Sequence, residues 1–263
     1  MDEAQFMASR ILIDPLSCVS LSLECLLQGT VIGRGTGFII IHDGTNYLIT
    51  NWHVVTGRDR NKDQPMSSTG ASDPDTISIW HHDANRFGSW HLTTERLIAP
   101  STGIHLWREH PLGRQIDVIA LPLSTHDNTR VYNLDISLAQ TDLLLLPSEP
   151  ISIVGFPFGI AAAGKFPIWK TGHIASDIDL NYEDKPVFLV DATAKPGMSG
   201  SPVFARRLGM HRSSTGWNIG GADVIRFLEV CSGRIREQSD IGMVWKPIVI
   251  DEILQSWHHA SGF

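Results

Sequence analysis

The sequence predicts an all-β protein. Its 263 residues contain many short apolar runs, most of them ended by Gly, Pro, Asn or Asp, a pattern that is typical of strands joined by turns. Helical spacing of apolar residues is confined to the two ends of the chain, residues 1–10 and 248–257. Many short strands at close spacing favour a sandwich or a barrel.

The first predicted strand is followed by a predicted hairpin. Residues 18–26 alternate as a strand does, and residues 37–41 and 47–50 flank a Gly-containing turn at residues 42–46, which is a hairpin signal. Further strands are predicted at residues 76–80, 89–92, 117–122, 151–155, 188–191, 201–204, 227–231 and 241–245. The polar stretches at residues 62–75 and 206–218 are predicted to be surface loops. Residues 124–130 are a candidate link between two halves.

Composition and charge exclude several classes of protein. The formal net charge of −7 argues against a nucleic-acid partner, which usually meets a basic surface. No run approaches the roughly 20 apolar residues that a membrane helix needs, and the first residues lack the pattern of a secretory signal. The three cysteines have no paired spacing and so predict no disulfide framework. We therefore expect a cytoplasmic protein that binds neither nucleic acid nor membranes.

The strongest chemical motif surrounds Ser199, in residues 195–204, KPGMSGSPVF. A nucleophilic serine needs a tight turn that exposes its hydroxyl, and two backbone N–H groups that stabilise an oxyanion. Gly197 allows such a turn and supplies one N–H, Ser199 supplies the other, and Gly200 keeps the space beside the hydroxyl open. The alternative is a plain Gly/Ser turn before a strand.

His53 is the candidate base for this serine, because a hydroxyl is a weak nucleophile at neutral pH. It lies just beyond the strand predicted at residues 47–50. Since the chain has twelve histidines, a histidine after a strand carries little weight alone. Thr50, Val54 and Val55 make the local pattern more specific.

Asp117 is the candidate partner that would orient the imidazole. It begins an apolar run, where burying an unpaired carboxylate would be costly. The alternative is a solvent-facing aspartate at the edge of a strand. Asp135 and Asp142 are weaker candidates for the same role.

With these three residues, the sequence resembles the trypsin-like (chymotrypsin-fold) serine peptidases, and within them the bacterial stand-alone and HtrA-type branch. The matching segments are residues 35–38, 48–55, 116–121, 154–159, 172–176 and 196–204, with weaker matches at residues 227–233 and 242–254. The resemblance implies two six-stranded Greek-key β-barrels with a short C-terminal helix. It implies an N-terminal extension (residues 1–16), a first barrel with His53 and Asp117 (residues 17–130), and a second barrel with Ser199 (residues 131–263).

The sequence departs from the family pattern in three respects. Val54 and Lys195 stand where secreted members often have cysteines, as expected of an intracellular branch. Met198 stands where zymogen-type members have an aspartate that pairs with a newly cut N-terminus, so we expect no activation by N-terminal cleavage. The residues after Ser199 are needed to complete the second barrel, so we expect no peptide-binding (PDZ) domain.

The resemblance also implies which residues line the first specificity pocket. These are Thr193, Ala194, Lys195, Ser232, Gly233, Arg234 and Gly242. Because none of them is a carboxylate, a preference for Arg or Lys is not expected, and a small or medium apolar residue is favoured. Trp245 is interpreted as a core residue.

No metal or other cofactor is expected. The pairs His81-His82 and His258-His259 do not match the spacing of a zinc site, because neighbours on a strand point to opposite faces. The glycines at residues 33–37 lack the Lys-Ser/Thr ending of a phosphate-binding loop. The eight tryptophans are scattered and read as core and edge aromatics.

The sequence therefore predicts a serine endopeptidase that acts on a protein or peptide substrate. One alternative is a non-catalytic or partner-gated trypsin-like domain that binds peptides or a regulatory protein. Another is an esterase or other acyl-transfer enzyme that uses the same three residues.

Overall fold

The described residues form two large β-sheet units, a separate two-stranded hairpin, and a C-terminal helix that packs against both units. The computed structural model describes residues 12–192, 194–236 and 238–256. The strands are β1 (Ser20–Leu27), β2 (Thr30–His42), β3 (Thr45–Thr50), β4 (Thr76–Asp83), β5 (Trp90–Arg96), β6 (Arg108–Glu109), β7 (Ile119–Pro122), β8 (Thr129–Arg130), β9 (Pro150–Gly155), β10 (Ile168–Ile174), β11 (Val187–Asp191), β12 (Pro202–Arg207), β13 (Met210–Ser213), β14 (Gly216–Ile219), β15 (Val224–Arg234) and β16 (Ile241–Trp245). The helices are α1 (Trp52–Thr56) and α2 (Ile248–Ser256), with 3₁₀ turns at Pro15–Cys18, Gly113–Gln115, Ile136–Gln140 and Pro157–Gly159.

The N-terminal unit is an antiparallel sheet in the order β5-β4-β1-β2-β3-β7-β6, with β8 paired to β4. The hairpin predicted at residues 42–46 is confirmed. Asp43 and Gly44 both have positive φ, 47° and 73°, as the two central residues of a tight hairpin turn require.

The C-terminal unit is a closed barrel of six strands in the order β10-β11-β16-β15-β12-β9. The expectation of a six-stranded barrel is therefore met in this half. The N-terminal sheet differs from the closed first barrel expected for this half, because its end strands β5 and β6 do not pair with each other. The reason is length, since β6 contains only Arg108 and Glu109 and offers too short a ladder for β5 to close on.

One apolar core joins the two units. Phe38 and Ile49 of the N-terminal sheet share a buried cluster with Phe204, Phe227 and Trp245 of the barrel. Trp245 is fully buried, in agreement with its interpretation as a core residue. The units are therefore held together by hydrophobic burial, which stabilises in proportion to the apolar area removed from water.

Helix α2 fastens the end of the barrel to the N-terminal unit. Its residues Val249, Ile250 and Ile253 are buried in the shared core. On the outside of the helix, the His110 ring and the Glu252 carboxylate are 2.7 Å apart. The sequence-predicted helix at residues 248–257 is confirmed up to residue 256, whereas the helix predicted at residues 1–10 lies outside the described residues.

The surface loop predicted at residues 206–218 is wrong in part. Residues 210–219 form the hairpin β13–β14, with Met210 opposite Ile219 and Arg212 opposite Trp217. All four of these side chains are exposed. Ser213 is the single buried side chain of this hairpin, so the hairpin has no buried apolar face of the kind by which strands are predicted.

None of the three cysteines forms a disulfide. Cys18, Cys25 and Cys231 are all buried free thiols, and burial raises the pKa of Cys25 and of Cys231 to about 12. Neither described helix is long and apolar enough to cross a membrane.

Glu229 is a fully buried carboxyl group on strand β15. The pairing of β15 with β12 shifts between Val203 and Phe204, which leaves a β-bulge, and Glu229 has a φ of 100°. Burial raises its pKa well above the usual range, Asp251 and Glu252 on α2 add to the rise, and the backbone N–H of Ile250 opposes it. Glu229 is therefore favoured in its neutral form inside the protein.

This burial predicts a pH-dependent stability. Because the pKa of Glu229 is higher in the folded than in the unfolded chain, the folded state binds the proton more tightly, and stability falls as the pH rises above about 4.5 through the folded pKa. Glu229→Gln carries no titrating group there, so its free energy of unfolding should decline less steeply between pH 5 and pH 8. Urea unfolding at several pH values measures this. The exposed Glu183→Gln is the control, and equal slopes for Glu229→Gln and wild type would contradict the prediction.

Candidate active site

His53 is placed by the short helix α1, directly after strand β3. Trp52, Val54 and Val55 of this helix are buried, so the helix is anchored by the residues on either side of His53. Gly57 ends the helix with a left-handed φ of 67°. The imidazole keeps 15% of its surface exposed, at the boundary between the two units.

Asp117 lies two residues before β7 and is 1% exposed. Its carboxylate accepts the backbone N–H of His53 at 2.9 Å, and its Oδ2 lies 2.6 Å from His53 Nδ1. The hydroxyl of Ser232 donates to the same Oδ2. The side-chain amide of Asn51 donates to the Asp117 carbonyl at 2.6 Å, which fixes the backbone from which the carboxylate projects.

These contacts decide the charge of Asp117. Burial on its own would raise the pKa of the carboxyl, but the neighbouring His53, the more distant charge of Arg60 and the Ser232 hydroxyl outweigh burial and hold the pKa below its usual range. The carboxylate is therefore ionised at neutral pH, where it can stabilise a positive charge on the imidazole.

Ser199 completes the group from the barrel side. Its Oγ lies 2.7 Å from His53 Nε2, so the imidazole bridges the serine hydroxyl and the Asp117 carboxylate. The structure thus brings together the three candidate residues, which are 64 and 146 positions apart along the chain when counted from His53. A base at hydrogen-bond distance from a hydroxyl can take its proton as the oxygen attacks.

The backbone before Ser199 presents two N–H groups on one turn. The carbonyl groups in the same peptide planes are held by backbone donors on other residues. These bonds are Phe158 N–H to Pro196 O at 2.6 Å and Ser201 N–H to Met198 O at 3.0 Å. Because a trans peptide is planar, each bond turns the N–H of Gly197 or Ser199 to the opposite side. Within the described part of the chain, neither N–H donates to a protein acceptor, so both are available to an oxyanion.

Two glycines are required for this turn. Gly197 and Gly200 have φ of 90° and 86°, which disfavours any residue with a Cβ. A Cβ on Gly197 would overlap the carbonyl oxygen of Phe156, and one on Gly200 would overlap that of Thr36. Gly200 is thus required by its close approach to Thr36, and the expected role of this glycine, open space beside the serine hydroxyl, stays a prediction.

The expected pocket residues are placed as follows. Gly233 and Gly242 lie close together, because a Cβ on Gly242 would be 3.5 Å from Gly233 O, and space next to Gly233 is open. Arg234 pairs with Gly242 across β15 and β16. Ala194 is buried and Lys195 is exposed, whereas Thr193 lies outside the described residues. The pocket remains a prediction.

Sequence reasoning missed three contributors to this site. Ser232 was expected to line the pocket, but its hydroxyl supports Asp117. Asn51 holds the backbone of Asp117, and Thr36 contacts the turn that carries Ser199. Asn51 and Thr36 stand inside the matched segments at residues 48–55 and 35–38, and that position was the only signal.

A metal site is not formed by the residues described. In residues 12–192, 194–236 and 238–256, no group of three or more His, Cys, Asp or Glu side chains could hold a metal ion.

The chain is similar to a known protein family in sequence and to solved structures in fold. The family model of the trypsin-like peptidase domain matches residues 35–209. No curated protein matches the sequence. Among solved structures, the serine endoprotease of Yersinia pestis is 13% identical, with a TM-score of 0.53 over 94% of this chain and 67% of its own.

Two further structures resemble the chain. An inactive form of Rv3671c from M. tuberculosis H37Rv is 15% identical, with a TM-score of 0.49 over 94% of this chain and 90% of its own. The protease Anisep from Arthrobacter nicotinovorans is 13% identical, with a TM-score of 0.49 over 91% of this chain and 94% of its own. Of these three structures, only the Yersinia endoprotease has a TM-score above 0.5, and at 13% identity its likeness supports a shared fold alone.

Proposed function

Since the chain belongs to the trypsin-like peptidase domain family, to which more than half of its residues match, we propose that it is a serine endopeptidase. The substrate is a protein or peptide, and the reaction passes through an acyl-enzyme intermediate. The observation that carries this proposal is the His53 ring, whose two nitrogens lie 2.6 Å from Asp117 Oδ2 and 2.7 Å from Ser199 Oγ.

Acylation follows from the positions of these atoms. Ser199 Oγ attacks the carbonyl carbon of the scissile bond while His53 Nε2 takes the hydroxyl proton. The carbonyl oxygen becomes an oxyanion and accepts hydrogen bonds from the N–H groups of Gly197 and Ser199. Asp117 stabilises the imidazolium, which then gives its proton to the leaving amine as the C–N bond breaks.

Deacylation repeats the sequence with water. His53 takes a proton from a water molecule that attacks the ester carbon, and the same two N–H groups stabilise the second oxyanion. The imidazolium returns the proton to Ser199 Oγ as the ester bond breaks, which releases the carboxylic acid. No cofactor is needed, because every proton that moves is accepted and returned by His53.

The proposal includes the architecture around the site. We take the N-terminal sheet as the counterpart of the first barrel of the chymotrypsin fold, with residues 17–130 as one domain and residues 131–263 as the other. The site then lies in the groove between them. We also propose a cytoplasmic location, and the three free thiols are compatible with it.

A fluorophosphonate probe tests the proposal directly, since it reacts only with an activated serine. The wild-type chain should acquire one adduct, which peptide mapping should place on Ser199, and should cleave an internally quenched peptide library. Preincubation with the probe should abolish this cleavage.

The outcomes separate the alternatives. Turnover of esters without any turnover of peptides would indicate another acyl-transfer enzyme. A folded chain that neither reacts nor cleaves would contradict an autonomous peptidase. Reaction only after addition of a cell extract would indicate control by a regulatory protein.

Activation is expected without cleavage of the N-terminus. Met198, at the position where zymogen-type relatives need an aspartate, is fully buried in an apolar cluster with Ala194 and Cys231, so a charged amine has no partner there. A chain with an uncleavable N-terminal tag should therefore show the same kcat as the untagged chain, measured with one peptide substrate. A requirement for a trimmed N-terminus would contradict this expectation.

A further inference from the structure

Thr36 is a fully buried residue of strand β2 that touches the serine turn of the other unit. Its hydroxyl donates to the carbonyl of Gly197 at 2.7 Å and accepts the N–H of Phe156 at 3.1 Å. Its backbone N–H donates to the carbonyl of Ser199 at 2.9 Å. One residue thus contacts the turn at two points, on either side of Met198.

The direction of the hydroxyl proton is set by these partners. An N–H group can only donate, so Phe156 occupies a lone pair of the Thr36 oxygen. The hydroxyl proton is then left for the Gly197 carbonyl, which can only accept. Since the site is buried, water cannot replace either bond without a cost.

The bond to Gly197 fixes the peptide plane that lies between the two oxyanion donors. This plane contains the Gly197 carbonyl and the Met198 N–H, and the latter donates to Lys195 O at 3.0 Å. The plane is therefore held at both ends. Rotation of this plane would turn Gly197 N–H and Ser199 N–H relative to each other, so the Thr36 hydroxyl controls the geometry of the pair.

Thr36 also connects this turn to the strand that carries the histidine. Its carbonyl accepts the hydroxyl of Thr50 at 2.8 Å, and Thr50 is the last residue of β3, three positions before His53. The same carbonyl lies against the Cα of Gly200, where a Cβ would overlap it. Thr36 therefore fixes the turn that carries Ser199 relative to the strand that leads to His53.

We propose that Thr36 is a positioning residue, which holds the two N–H groups of Gly197 and Ser199 in the arrangement that binds the oxyanion. The inference rests on the proposed function, because an oxyanion forms only if Ser199 attacks a carbonyl. Thr36 does not contact the reacting atoms, and its effect passes through the Gly197 and Ser199 carbonyl groups.

The test compares Thr36→Val, which keeps the shape and removes the hydroxyl, with Thr36→Ser, which keeps the hydroxyl. Loss of one oxyanion donor costs about 10²–10³ in kcat. Because Thr36→Val displaces donors without removing them, we expect a loss of about 10- to 100-fold in kcat. KM should stay within about threefold, since the lost interaction acts in the transition state. Thr36→Ser should retain kcat within about threefold of the wild type.

A second measurement separates positioning from a general structural defect. A peptidyl trifluoromethyl ketone forms a tetrahedral adduct with an oxyanion, so its inhibition constant should rise with Thr36→Val by the same factor as kcat falls. The substrate peptide should bind equally well to Ser199→Ala and to Ser199→Ala/Thr36→Val. Near-UV circular dichroism verifies the fold, and Thr36→Ala replaces Thr36→Val if the valine variant does not fold.

Each outcome has one meaning. Three results would overturn the role of Thr36 while the proposed function stands. The first is a folded Thr36→Val with wild-type kcat, and the second is a Thr36→Val in which only KM is impaired. The third is a Thr36→Ser that is as impaired as Thr36→Val. A wild-type chain that neither cleaves peptides nor reacts with the fluorophosphonate probe would instead overturn the proposed function.

Discussion

Ser199→Ala is expected to lower kcat for a peptide substrate by at least about 10⁴-fold, because the residues of such a catalytic unit depend on one another. The substitution removes the oxygen 2.7 Å from His53 Nε2 and leaves the imidazole with no nucleophile to activate. The remaining activity would come from the two N–H groups and from binding.

The fold should survive this change. Ser199 is only partly buried, and its carbonyl still accepts the backbone N–H of Thr36. The control is Ser78→Ala, which removes a buried hydroxyl that contacts Thr94 on the neighbouring strand and should leave kcat unchanged. Cleavage at the wild-type rate by Ser199→Ala, with the probe still attached elsewhere, would show that Ser199 is not the nucleophile.

Asp117→Asn is expected to lower kcat by about 10⁴-fold, the size seen for the equivalent change in a serine protease. The carboxylate accepts three hydrogen bonds, two from His53 and one from Ser232. An amide has only one accepting oxygen, and its NH₂ group can only donate. If the amide nitrogen faces His53 Nδ1, the ring must carry its proton on Nε2 and can no longer accept the proton of Ser199.

Nuclear magnetic resonance provides a readout besides activity. The wild type should show the strongly deshielded proton of His53 Nδ1–H, and Asp117→Asn should lose it. Asp135→Asn and Asp142→Asn are the matched controls. Asp135 lies at a 3₁₀ turn, where its carboxylate accepts the backbone N–H of Ser137. The carboxylate of Asp142 accepts the backbone N–H of Ser214. Neither should alter kcat, and an equal loss in Asp142→Asn would contradict the assignment of Asp117.

The sequence was sufficient to predict those parts that depend on local pattern. The hairpin turn at Asp43 and Gly44 follows from residues that tolerate positive φ. The turn around Ser199 follows from Gly197 and Gly200, whose conformations other residues disfavour. His53, Asp117 and Ser199 could be selected because each has a specific flanking segment in the order that the family shows.

Other parts depend on contacts between distant residues and could not be predicted in this way. Thr36 and Gly197 are 161 positions apart, and a threonine in a strand gives no sign of which carbonyl it will meet. Glu229 stands in a segment that was correctly predicted as a strand, but its bulge depends on the register with β12. The open edge of the N-terminal sheet depends on β6, which at two residues is too short to carry any periodicity.

The division of the site between the two units has a consequence for biosynthesis. A ribosome releases His53 and Asp117 long before Ser199, and Ser232 and helix α2, with its contact from Glu252 to His110, emerge later still. While translation is under way, the growing polypeptide therefore carries a base without a nucleophile. The order of synthesis therefore delays assembly of the proposed catalytic group until Ser199 and the barrel strands around it have been made.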